Sequence, residues 1–126
     1  MTISTSDKYR ELVEGLYDRT ISGSLEWEIN PNTERVQCAM GSYTIVLFDT
    51  SDDEDTPFEV VQIKDSSGVI IDNFNDDSLS GKDPPHDLLT YYVLLKDLRK
   101  LAYRKAIGAE KALDDLLKAL KDGDNS

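Results

Sequence analysis

Cys38 and His86 are the only cysteine and the only histidine of the chain, so the side chains that most often act as nucleophile, general base or soft metal ligand occur once each. A thiolate nucleophile needs a base held beside it. Cys38 instead belongs to an alternating stretch, Val36, Cys38 and Met40, where a buried thiol behaves as a small hydrophobe. His86 follows Pro84-Pro85 and precedes Asp87 at the expected opening of a helix, and it reads as a solvated first-turn residue rather than a proton carrier. One Cys and one His do not supply the usual Cys/His ligand set of a structural zinc.

Carboxylates are plentiful, with 25 Asp and Glu among 126 residues. Neither Asp52-Asp53-Glu54-Asp55 nor the run Asp72 to Asp77 has the alternating oxygen ligands, central glycine and closing glutamate of a calcium loop. Both read as solvated acidic loops that favour solubility and protect sheet edges. The glycines stand singly at turns and caps, without the spacing that cradles a phosphate. No catalytic, cofactor-binding or metal-binding residue is assigned, and no cofactor is expected.

What remains are surfaces. Lys96, Lys100 and Arg104 recur at helical spacing, with Arg99 and Lys105 alongside, and form a basic ridge in an acidic chain. Its alternative is a solvated face paired with Asp97 or other local acids. The apolar positions from Leu88 to Leu95 exceed what one sheet covers, so the excess must meet another helix or another subunit. Leu89, Val93, Lys96, Lys100 and Arg104 are therefore the candidate interaction surface.

These positions need elements to hold them. Tyr9, Leu12, Val13, Leu16 and Tyr17 fall on one helical face, which predicts a helix over about 7–20, capped by Ser6 or Asp7 and stopped at Ser22-Gly23. Gly15 inside it either marks close packing or is tolerated. From Leu25 the period becomes two, through Leu25, Trp27 and Ile29 to a turn at Asn30-Pro31-Asn32, then Val36 to Met40, then Tyr43 to Phe48. Gly41-Ser42 admits either a two-residue hairpin loop or a bulge, so the sheet has four or five strands. The acidic tract 49–57 is an exposed connection. Phe58 to Lys64 and Val69 to Phe74 form a hairpin around Asp65-Ser66-Ser67-Gly68. After a loop over 75–87, one long C-terminal helix runs from about Pro85 and is broken or kinked near Gly108, beyond which Leu113, Leu116, Leu117 and Leu120 continue an amphipathic pattern.

The expected fold is α+β: an N-terminal helix, a four- to five-stranded antiparallel meander, and a long C-terminal helix, with the helices packed on one face of the sheet. Residues 1–126 form a single domain with frayed ends at 1–6 and 122–126.

The formal charge of −11 is unevenly spread. Residues 1–48 carry a net −3, residues 49–87 a net −10 and residues 88–126 a net +2. Such an acidic middle repels nucleic acid, whose binding relies on Lys and Arg. The longest apolar run is far short of the roughly 20 residues of a membrane span, and Met1 to Asp7 has no signal-peptide pattern, so cytoplasmic residence without membrane association is expected. A lone cysteine agrees with a reducing compartment.

The function that follows is a non-enzymatic, acidic protein-interaction module, self-associating as a homodimer or binding a protein partner. Two other classes stay open: an acidic helper, such as a secretion chaperone or a nucleic-acid-mimicking inhibitor, and a small-ligand-binding or carboxylate-based enzyme domain. The last requires a deep pocket where tyrosines and carboxylates converge.

Overall fold

The computed structural model describes residues 4–123. Helix α1 (Thr5–Ile21) precedes strands β1 (Glu28–Ile29), β2 (Val36–Met40), β3 (Tyr43–Ser51), β4 (Pro57–Lys64) and β5 (Ile70–Asn75). A 3-10 turn (Asp76–Leu79), α2 (Tyr91–Ala106) and α3 (Ala109–Lys121) complete the order. The strands pair in sequence order and antiparallel throughout, so the α+β arrangement of a helix, an antiparallel meander and C-terminal helices is present with five strands.

Helix α1 starts two residues earlier than its apolar spacing implies. Ser4, rather than Ser6 or Asp7, is the cap, its hydroxyl accepting the Asp7 backbone N–H at 3.1 Å. Such a cap is worth about 1 kcal/mol. A Cβ placed on Gly15 would meet nothing within 4 Å, so that glycine is tolerated and does not mark a close approach.

The strand expected from Leu25 shrinks to two paired residues. Leu25 and Trp27 keep their inward alternation and are buried, but only Glu28, opposite Gln37, and Ile29, opposite Val36, join the ladder. Gly41-Ser42 is a two-residue hairpin loop, with Met40 opposite Tyr43 and Gly41 at φ 58, a left-handed conformation that costs glycine little. The connection expected over 49–57 is shorter, since residues 49–51 extend β3 and Pro57 opens β4; the remaining tip of the hairpin is held by Asp52 Oδ1, which accepts the backbone N–H groups of Glu54 and Thr56 at 2.8 and 2.9 Å.

Pairing brings Val36, Leu47, Val61 and Phe74 into one row across four strands, and Cys38, Ile45 and Ile63 into the next. Val13, Leu16 and Tyr17 of α1 and Leu94, Leu95, Leu98 and Ala102 of α2 close over this face in one apolar cluster. Each leucine so buried stabilises the fold by about 1.5–3 kcal/mol.

The C-terminal part departs from the expected single helix. His86 and Asp87 have φ of 64° and 58°, outside the helical region, so residues 80–90 form an irregular segment and α2 begins at Tyr91 rather than near Pro85. Thr90 caps it, accepting from the Val93 N–H at 3.2 Å. Gly108, at φ 73, ends one helix and opens the next, giving two separate helices, α2 and α3, in place of one kinked helix. No described helix is long and apolar enough to cross a membrane.

Candidate interaction surface

Helix α2 has two faces of different destiny. Tyr91, Leu94, Leu95, Leu98 and Ala102 are buried, so the apolar excess read from the sequence is largely covered within the chain. Val93, Lys96, Lys100 and Arg104 lie on the opposite face, which follows from their spacing at 3.6 residues per turn. Val93 and Lys96 are half-buried, whereas Lys100 and Arg104 are exposed. Leu89 is 84% exposed but lies in the irregular segment before the helix, not on its stripe.

The basic ridge is also thinner than its sequence suggests. Arg99 turns inward to Glu59, and Arg104 bonds Glu110 of α3 through Nη2 at 2.7 Å. Asp97 accepts from Tyr17 rather than from a ridge lysine. Lys96 Nζ sits 5.7 Å from the centroid of the Tyr92 ring. Among the described residues, Lys96 and Lys100 make no ion pair.

The larger uncovered surface is α3. None of its 13 residues is buried, although it carries apolar side chains at i, i+3, i+4 and i+7. Leu113, Leu116, Leu117 and Leu120 are 47%, 61%, 53% and 72% exposed. Tyr103 and Ile107, at the end of α2, are about half exposed as well. A run of this kind, rimmed by charge, is the usual mark of a contact surface. The sequence carried the signal for it in the leucine spacing; sequence alone does not reveal that these leucines stay exposed among the described residues.

Three tyrosines tie α1 to the rest of the molecule. Tyr9 donates to both oxygens of Asp72 at 2.9 and 3.0 Å while stacking on Phe74, Tyr17 donates to Asp97 at 2.6 Å, and Tyr91 donates to Glu14 at 2.9 Å. The Asp97 bond, with burial, pushes the Tyr17 phenol up to about 12; burial, with Glu14, does the same for Tyr91. Raised phenols of this sort stay protonated and serve as donors, not as nucleophiles or bases near neutral pH. The groove that reaches Tyr91 is lined by Asp7, Arg10, Glu11, Glu14, Lys82 and Asp83 and is open to solvent.

Arg10 fixes the segment after the 3-10 turn, donating through Nε to the Leu79 carbonyl at 2.9 Å and through Nη2 to the Ser80 carbonyl at 2.8 Å. Its Nη1 meets Asp7 at 2.8 Å, and Lys82 reaches the same carboxylate at 2.7 Å. Hydrogen bonds from Lys82 and then from Ser4 hold the Asp7 carboxyl below its usual range.

Cys38 is 1% exposed, and burial raises its thiol to about 11. His86 lies in the irregular segment rather than in a first helical turn, with Nε2 2.6 Å from Asp18 Oδ1. Among the described residues, no group of three or more His, Cys, Asp or Glu side chains is placed to hold a metal ion. No protein-family model, curated protein or solved structure matches this chain.

Proposed function

We propose that this chain is a protein-interaction module of the cytoplasm, working through contact rather than catalysis, and that α3 is its main contact element. The observation that carries this reading is the four-leucine face of α3, exposed on a helix that buries no residue. An isolated helix shorter than about 12–15 residues is marginal in water, so a 13-residue helix with a solvated apolar face gains most of its stability from whatever covers it. Lys96 and Lys100 lie on the outer face of the preceding helix.

Substituting Leu116→Asp and Leu120→Asp removes the apolar face without touching the core. The reading predicts that a complex or oligomer formed by the wild-type chain is lost in this double variant, while the denaturation midpoint of the domain stays in place. Equal retention of partners by both chains would count against α3 and return attention to the α2 ridge.

A further inference from the structure

We propose that the occupant of the α3 face is the α3 of a second copy, lying antiparallel, so that the chain is a homodimer with a leucine seam. This rests on the contact reading above and names its partner.

The charges of α3 select that partner. Ala109–Lys121 contains Glu110, Asp114 and Asp115 against Lys111, Lys118 and Lys121, so the helix is neutral in sum. Along its length it is polarised: the first part holds all three acids and only Lys111, and the last turn holds Lys118 and Lys121. Glu110 and Lys121 are eleven residues apart, which at 3.6 residues per turn places them within about 20° of each other, on one flank of the leucine stripe. In an antiparallel pair each flank meets the same flank of the other helix running the opposite way. Glu110 of each copy then faces Lys121 of the other, and the two-fold axis makes both pairs at once. A parallel pair would set this flank against the opposite one, which carries Ala112 and Ala119, and leave Glu110 and Lys121 without a partner across the seam.

The same charges disfavour the other occupants. An amphipathic helix bound to an anionic bilayer carries Lys and Arg in excess on its polar face. Here acids and bases are equal, so α3 offers an anionic surface no net attraction. A strongly acidic or basic protein partner would find no net charge on α3 itself to meet. A surface of equal length, equal apolar face and reversed charge order is what a second copy offers.

Two features set the expected strength. Thirteen residues rising 1.5 Å each give a seam about 20 Å long, near the lower limit of about 1,000 Å² for a specific interface even with Tyr103 and Ile107 beside it. Glu110 is shared with Arg104 of its own chain, in a pair whose side chains are 45% and 62% exposed, so solvent screens it and reorientation toward Lys121 meets little resistance. The dimer should therefore dissociate on dilution.

Sedimentation velocity of the full chain, from about 1 µM to about 1 mM, tests this. The expected result is a shift from 14.2 kDa toward twice that mass, abolished by L116D/L120D with an unchanged domain unfolding curve. Lys121→Glu should weaken association about tenfold, by losing two attractive pairs and creating two repulsive ones, and Glu110→Lys combined with Lys121→Glu should restore it. A strict monomer at every concentration overturns the proposal, as does a dimer indifferent to L116D/L120D or to both charge changes. Should the monomer still bind another protein or a phosphatidylcholine–phosphatidylglycerol vesicle through its leucines, self-pairing fails; the protein case keeps the contact reading alive, and loss of both removes it too.

Discussion

Arg99 reaches from α2 across to β4 and grips the carboxylate of Glu59 with two hydrogen bonds, Nε to Oε1 at 2.7 Å and Nη2 to Oε2 at 3.1 Å. The Glu59 side chain is 4% exposed and that of Arg99 24%, so the pair is largely withdrawn from water. The bond to Glu59 raises the Arg99 pKa and keeps the guanidinium charged, which is what a buried carboxylate requires. Asp49 stands 3.8 Å away as a weaker second partner.

Arg99→Ala should cost about 3 kcal/mol, because it leaves Glu59 ionised and buried without a partner. Replacing both residues by apolar side chains of similar size, Glu59→Leu with Arg99→Met, should recover most of that loss. Chemical denaturation of the two variants and the wild type checks the pair. Additive losses in the double variant would mean that the two residues act independently.

Trp27 is the only tryptophan and 6% exposed, and its Nε1 donates to Thr20 Oγ1 at 3.0 Å inside the core. Thr20→Val keeps the shape and removes the acceptor. It should destabilise the fold by about 1–3 kcal/mol, the cost of a buried donor left without a partner. Tryptophan emission during denaturation reports both the midpoint and the local environment.

Alkaline pH should weaken the fold over a defined range. Tyr17 and Tyr91 have phenols raised to about 12 from an ordinary value of 10.0, so the folded state holds their protons more tightly than the unfolded chain does. Their contribution is fully present below pH 10 and is lost as the pH rises through 12. Melting temperature should fall between these limits, and the fall should be shallower in Tyr17→Phe with Tyr91→Phe, even if that variant is less stable at neutral pH.

Cys38 should be silent toward thiol reagents in the native protein, since it is 1% exposed and its thiol is raised to about 11. At pH 8 the folded chain should react many times more slowly than the chain in denaturant. Equal rates would place the thiol at the surface.

How far the sequence could be read depended on whether the deciding contact was local. The Asp65–Gly68 turn was legible because its parts are neighbours: Asp65 Oδ1 accepts from Ser67 and Val69, and Gly68 takes φ 83. The start of α2 was misplaced because Leu88 and Leu89 fit a helical period, while the left-handed backbone of His86 and Asp87 has no periodic signature. Its better signal was Thr90, a capping residue immediately before the apolar run. The shortness of β1 was hidden, since alternation marks which side chains turn inward and not which backbone groups pair with β2. Arg99 read as part of a basic ridge because its partner, Glu59, is 40 residues away.

The candidate surface followed the same rule. The leucine spacing of α3 was plain in the sequence, and the α2 stripe of Val93, Lys96, Lys100 and Arg104 is an outward face. The apolar excess of α2 is the stronger signal in the sequence, yet the fold covers it, because which of two amphipathic helices meets the sheet is settled by tertiary packing.

Hydrogen exchange of the α3 backbone amides at rising protein concentration tests the central claim most directly. The account predicts that amides of Leu113 to Lys121 slow progressively as copies pair, while those of β3 and β4 keep one slow rate throughout, and that L116D/L120D removes the concentration dependence. Fast, concentration-independent exchange along α3 in the wild-type chain would contradict it.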